Sequence, residues 1–596
     1  MIQYPYLKEQ PSTRQVIDTF KGYNHNLRIG AGEFYEMENL TSDDYPVLSV
    51  RKKRGRYLSS LQDGGTATGM LYVPGAGMFV VVEHLDPQAQ GLEEKKISTL
   101  FLIGADGGTT TLGTLLAGRK SLALMGKYLI IAPDMIWVNT EDMKSGNIFR
   151  SWEVAEGSMD LALYLADGTL LQKGYQGADP PSDPQSYSHW IDTSADPPRV
   201  MRYSVPQEMW VMAENTVVKL EADGLEGHRF SVGDTVNITG FSGQAAYLNG
   251  LHTITDCPHQ SAIVIDGVIE ASFPLSCEDH PIAIRREVPR LDFIVEWSNR
   301  LWGCAHDTNE IYACKLGDFK NWNCFQGLST DSWVGSVGTP GEFTGAVVQN
   351  GYPVFYKENC KHKVWPSATG AHQITTVNCN GVEKGSESSL AVLDGTVFYQ
   401  SAFGVFADDG GGAVEIGHSL GNIRYHRGIG TIYDRKYYLS MEDSTGKRGL
   451  FVYDIARRMW HRENNIPGAL CSAWDSLFAA HGDIWDLTGN TGTPEEEVSW
   501  MAVTGDLGLE LPEQKYISRL TLRLCLEPGA TLEIYAQYDR EQTWVKLGQV
   551  YGTDLRSFSL PVRPRRCDQL RLKLQGTGMC KIYSITKTLE KGSELS

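Results

Sequence analysis

Between Gly428 and Glu463 the chain reads GIGTIYDRKYYLSMEDSTGKRGLFVYDIARRMWHRE, short runs rich in Tyr, Val and Leu, separated by turn residues and closed by an aromatic. Thr431 to Asp434, Lys436 to Met441 and Gly449 to Asp454 each suit one strand, with Asp-Arg and Asp-Ser-Thr-Gly-Lys as connections. Related patterns recur over most of the sequence at a spacing of about 40–50 residues, the length of a four-stranded blade. A sheet of three or four short strands cannot bury both of its faces. Such units must stack on one another, which selects an all-β, propeller-type architecture.

A chain of 596 residues exceeds what one hydrophobic core organises, and a repeat-built domain with additions reconciles that length with short strands. Residues 1–56 have no clear period, carry Pro5, Pro11 and Pro46, and read as an extended N-terminal arm. Residues 57–228 read as the first part of a propeller, with hairpins punctuated by turns such as ADGGTTTLG and a polar, proline-rich loop from Tyr175 to Arg199. Residues 229–284, beginning RFSVGDTVNITG, alternate as a small inserted β-barrel. Blade patterns resume over 285–490. In 491–596 the character changes to strict alternation, Leu520, Leu522 and Leu524 on one face and Arg519, Thr521 and Arg523 on the other, which predicts a C-terminal β-sandwich.

The formal net charge of −18 argues against a protein that wraps duplex DNA by neutralising phosphates, though not against a channel through which DNA slides. The densest basic cluster is Arg51, Lys52, Lys53, Arg54 and Arg56. It reads as a solvated turn or as a contact with an acidic neighbouring subunit or with phosphates, and of these contacts an interface is favoured over a DNA ligand. Arg519 and Arg523, on the outward face of the predicted sandwich, read as an ordinary solvated sheet face or as a second interface, with an acidic partner. The 11 cysteines include no CxxC pair; Cys304, Cys314 and Cys324 recur at strand-plus-turn spacing and read as core thiols rather than zinc ligands. The N-terminus lacks a secretory signal and no apolar run is long enough to span a bilayer, so folding in a cytoplasm and no membrane anchor are expected.

No catalytic, cofactor or metal site is expected. GHSLG at Gly417–Gly421 matches a nucleophile elbow in spacing, but NIRYHRGIGTIY after it has no helical period, so Ser419 reads as part of an inter-strand turn. DREQTW at Asp539–Trp544 resembles the end of a sialidase Asp-box in a single copy and reads as a hairpin turn. HDTNE at His306 and TSDDY at Thr41 read as polar turns rather than cation ligands. Trp297, Trp302, Trp322 and Trp333 keep open a propeller that binds a receptor or carbohydrate.

Three segments carry a resemblance: FKGYNHNLRIGAGEFYEMENLTSDDYPVLSVRKKRG at Phe20–Gly55, SNRLWGCAHDTNEIYACKLGDFKNWNCF at Ser298–Phe325, and YDRKYYLS with LFVYDIARRMW within Tyr433–Trp460. In this order they resemble the tail nozzle proteins of short-tailed bacteriophages, the family also called tail tubular protein B or phage stabilisation protein. The resemblance implies a virion protein made in the host cytoplasm, built on a β-propeller and assembled as a homo-hexameric ring below the portal and adaptor. It would contact those proteins and tail fibres or spikes, and extend the DNA channel that retains and then releases the genome, with no enzymatic step.

Overall fold

A computed structural model describes residues 12–591 except 63, 87–94, 172–173, 197, 214, 223–227, 270–271, 279–280, 467, 510–513, 561 and 563–564. The protein is all-β: among these residues the regular elements are strands, with four short 3-10 turns. It divides into two compact units, one of residues up to Lys120, Gly341–Lys363 and Thr376 onwards, the other of Ser121–Pro340 and Val364–Thr375.

In the first unit the predicted blade sheets are present. Thr66–Val73, Gly77–Leu85, Lys96–Ile103 and Thr109–Leu116 form one antiparallel four-stranded sheet, and Ala391–Leu393, Thr396–Ser401, Gly404–Asp408 and Ala413–Glu415 another. The segment that opened the reading becomes Tyr425–Tyr433, Lys436–Asp443, Arg448–Asp454 and Met459–Glu463. Its Asp434-Arg435 turn has φ of 44° and 55°, the two left-handed residues that a tight hairpin between right-twisted strands requires. The inner strand Gly77–Leu85 is buried on both faces, with Met78 to Val82 fully enclosed. Val80, Val82 and Phe101 of the first pack against Cys471, Phe478 and Ile484 of the sheet Ala469–Ala473, Ser476–Ala480 and Ile484–Asp486. That last sheet takes a further strand, Gly55–Leu58, from the N-terminal end of the chain.

Of the expected extended arm, residues 1–11 lie outside the described residues, and residues 12–56 are woven into this unit. Ser12–Ile17 pairs with Cys580–Lys591, Gly22–Tyr23 with Glu33–Glu38 and at Trp460, and Leu48–Val50 again with Cys580–Lys591. Each piece is too short to show a period, and, apart from Glu33–Glu38 beside Gly22–Tyr23, the partners lie hundreds of residues away. The C-terminal strands display the predicted alternation, with Leu520, Leu522 and Leu524 fully buried and Arg519 and Arg523 exposed. The 24-residue strand Lys515–Tyr538 breaks register between Leu526 and Thr531, at Pro528 and Gly529. Its first half pairs with Cys580–Lys591 and its second with Leu570–Thr577, and the leucines of both halves enter one core with Trp500, Leu572 and Ile585.

In the second unit two blade-type sheets, Ser121–Asn147 and Phe293–Ser336, share a core of Ile130, Leu301, Cys314 and Trp322. Between them in sequence lies an eight-stranded sheet whose strands run from Arg150–Val154 to Ile282–Arg286. The inserted region is therefore wider than 229–284: Ser158–Leu165 and Thr216–Ala222 pair with each other and belong to it. SMDLALYL, with Met159, Leu161, Leu163 and Leu165 buried, is a period-2 strand whose signal is split by the flanking loops. Asp234 of the GDTVNITG motif is buried and paired with Arg286 at 2.6 Å, and Arg286 also donates to the Ile148 carbonyl.

Candidate functional site

The basic cluster is split by its own backbone. Between the strands Leu48–Val50 and Gly55–Leu58 the chain turns Arg51 and Arg54 inward and leaves Lys52, Lys53 and Arg56 exposed. Gly55 is required at the crossing, because a Cβ there would lie 1.8 Å from the Thr491 carbonyl oxygen. Arg54, 1% exposed, pairs with Glu463 at 2.7 Å and donates to the Asn464 carbonyl, while its amide donates to Glu495 at 2.8 Å. Arg51 bridges Asn39 and Glu495. Burial would raise the Glu495 carboxyl, but hydrogen bonds from Arg51 and the Arg54 amide, with both guanidinium charges, outweigh it and hold Glu495 below the usual range. The expectation of Arg51 and Arg54 as outward interface residues is corrected: both are internal ties, since burying an unpaired guanidinium is too costly and the fold supplies two carboxylates. Lys53 donates to the Glu496 carbonyl and Arg56 pairs with Asp483, both at the surface.

Beside this network opens a pocket of about 520 Å³ lined by Asp43, Lys52, Arg435, Lys436, Arg457 and Glu463, among others. Lys436 pairs with Asp43; Asp454 accepts from the Ser42 hydroxyl at 2.6 Å and pairs with Arg457 at 2.8 Å. Burial would raise Asp43, and the Lys436 charge and hydrogen bonds from Lys436 and Thr41 overcome it, so Asp43 stays ionised. Asp43 falls in TSDDY, read from the sequence as a polar turn, while Asp454 and Lys436 escaped that reading. Asp43 lies in the turn between Leu40–Thr41 and Leu48–Val50, and Lys436 and Asp454 lie on separate strands with no local motif joining them to the Arg51–Arg56 run.

His461, on the strand Met459–Glu463, is fully enclosed, and burial followed by the Lys436 charge lowers it from 6.5 to about 4. Between those values the unfolded chain binds a proton that the folded chain refuses, so the stability held by neutral His461 is present above pH 6.5 and lost as pH falls towards 4. A loss of about 2–3 kcal/mol by pH 4.5 is expected from this shift. His362, lowered to about 4 first by burial and then by Lys357, adds in the same direction. Urea midpoints measured at pH 7 and 4.5 check this: His461→Asn should shrink the drop by about 2 kcal/mol relative to the parent chain, and an unchanged drop would contradict it.

The remaining candidates are placed as follows. Ser419 lies in the 3-10 turn Gly417–Leu420, its carbonyl accepting the His25 amide. Asp539 and Arg540 take positive φ in the turn after Tyr538. Among the described residues one group, Asp292, His306 and Asp307, could converge on a cation. Its members are already engaged, His306 Nδ1 with Asp292 at 2.5 Å and Asp307 with Arg290 at 2.9 Å. Trp302 and Trp322 are buried, and Trp333 is half-buried against Trp302 and His372. Cys304, Cys314 and Cys324 are all buried free thiols. No helix among the described residues is long and apolar enough to cross a membrane.

No family model matches the chain, and no curated protein gives a significant match. Among solved structures it is similar to PorZ, a surface component of the type-IX secretion system of Porphyromonas gingivalis, at 13% identity and a TM-score of 0.24, over 90% of this chain and 82% of that one. It is similar to an exo-β-1,3-galactanase of Phanerochaete chrysosporium at 7% identity and a TM-score of 0.20, over 49% and 94%. Phage phi92 endosialidase follows at 9% and 0.19, over 97% and 75%. The expectation of a chain without enzymatic activity is corrected at this point, because glycan-cleaving enzymes stand among these structures. Likeness at this level assigns no residue a catalytic role.

Proposed function

We propose that the protein is a structural component of the tail of a short-tailed bacteriophage, a nozzle subunit that assembles as a ring, extends the DNA channel below portal and adaptor, and retains the genome until ejection. One observation supports this reading above others. Two of the three segments that carry the family resemblance, Phe20–Gly55 and Tyr433–Trp460, lie against each other despite their distance in sequence. Tyr23 pairs with Trp460, Ser42 donates to Asp454, and Lys436 pairs with Asp43. Two of the three segments thus meet within one packed unit, and Ser298–Phe325 belongs to the other. The net charge of −18 suits a lumen that repels phosphates and lets DNA slide. Mixing the chain with the portal and adaptor proteins encoded beside it and imaging by negative stain tests the reading. Density with a central hole added at the adaptor end is expected, and adaptor complexes that never acquire the chain would overturn it.

A second reading, recognition of a glycan, is favoured by the 520 Å³ pocket, where Asp43, Asp434, Arg457 and Thr488 offer the acceptors and donors that sugar hydroxyls use. Saturation-transfer NMR with acidic oligosaccharides should then show transfer that Arg457→Ala abolishes. Absence of transfer from every oligosaccharide removes this reading.

A further inference from the structure

Four strands form consecutive antiparallel neighbours in the order Ser12–Ile17, Cys580–Lys591, Lys515–Tyr538, Val545–Leu560. Three residue rows cross all four without interruption. In one of them Ile17 faces Ile585, Ile585 faces Leu522 and Leu522 faces Phe558. At one side of this sheet Ser12–Ile17 pairs with no other strand among the described residues, and at the opposite side Val545–Leu560 pairs only with Lys515–Tyr538.

Both edges are unpaired among the described residues, and their charges are Arg14 on one and Lys546, Asp554 and Arg556 on the other. Val545–Leu560 is 16 residues long, contains no proline, and from Asp554 to Ser557 is exposed on successive residues, so the strand stands clear on both faces as well as along its edge. Tyr551 is 64% exposed and Leu555 44%. On the other edge Val16 is 52% exposed, and the strand carries neither lysine nor proline. An unpaired edge is a template for another strand, because its outward N–H and C=O groups gain partners only from a second chain or water.

The strand directions fit a second copy of this chain as the occupant. Alternation runs antiparallel through all four strands, so a copy of the chain placed to continue the sheet brings its Ser12–Ile17 antiparallel to Val545–Leu560, and the ladder extends without reversal. Because the two edges are different surfaces on opposite sides, the contact is head-to-tail, and a head-to-tail contact closes into a ring when its rotation permits. We propose that copies of this chain join through main-chain pairing of the edge Val545–Leu560 of one subunit with Ser12–Ile17 of the next. This rests on the ring reading above and names its seam.

The test uses the full chain and two single substitutions at exposed positions, Val16→Lys and Leu555→Lys, each placing a charge where an incoming strand would pack. Val16→Thr and Leu555→Thr serve as strand-compatible, uncharged controls. Native mass spectrometry and thermal melts are read together. The parent chain and both threonine variants should give the ring mass, and each lysine variant should lose it while keeping the parent melting temperature of the monomer. A ring that persists in both lysine variants overturns the seam and leaves the ring reading intact. A dimer lost only in Leu555→Lys overturns it in favour of the edge pairing with itself. A parent chain that stays monomeric with portal and adaptor present overturns both the seam and the ring reading.

Discussion

Replacing Arg54 by alanine is expected to destabilise the first unit by about 3–5 kcal/mol, the cost of leaving a buried carboxylate without its partner. Arg54 and Glu463 are 1% and 7% exposed, and with Arg54 gone the nearest guanidinium to Glu463 is that of Arg51 at 3.9 Å, too far for a hydrogen bond. The Asn464 carbonyl loses its donor as well. Arg54→Lys should recover only part of the loss, because an ammonium cannot reproduce the fork that reaches Glu463 and Asn464 together. Urea unfolding followed by tryptophan fluorescence reads both. Lys52→Ala, at an exposed position in the same run, should change stability by no more than about 0.5 kcal/mol. Equal effects from Arg54 and Lys52 would contradict the inward placement.

Trp460→Ala should cost a similar amount, about 3–5 kcal/mol. Trp460 is 1% exposed, donates its indole N–H to the Ile416 carbonyl at 2.8 Å, and packs on Tyr453 with ring centroids 4.9 Å apart. Its carbonyl oxygen lies 2.3 Å from where a Cβ on Gly22 would stand, and Gly22 has φ +81°, so the N-terminal segment can approach this strand only through glycine. Gly22→Ala is therefore expected to destabilise the same unit through the opposite partner. Phe403→Ala, at 68% exposure, should stay within about 0.5 kcal/mol. A Trp460→Ala chain with the parent midpoint would mean that the two segments are not coupled.

The blades were legible in the sequence because their evidence is local: alternation within a strand, and turn residues such as Asp434-Arg435 at the connection. The buried stripe of Leu520, Leu522 and Leu524, with Arg519 and Arg523 facing out, was readable for the same reason. The N-terminal strands were not. Gly22–Tyr23 is two residues long, and what makes it a strand is Trp460 and Glu33–Glu38, a tertiary cause. The same holds for the basic cluster. A run of five cations looks solvated until Glu463 and Glu495 are placed beside two of them, and neither carboxylate has a positional signature. Burial of Trp302 and Trp322 was equally hidden, since an aromatic within a blade strand or in the loop after one looks the same in sequence whether it faces a core or a ligand.

The measurement that bears most directly on the proposed function is the native mass of the purified chain across a concentration series, taken alone and with adaptor. The account predicts a discrete closed multiple of the 66.1 kDa subunit, formed alone or on the adaptor, with no ladder of intermediate sizes. A monomer at every concentration, with and without adaptor, would contradict it.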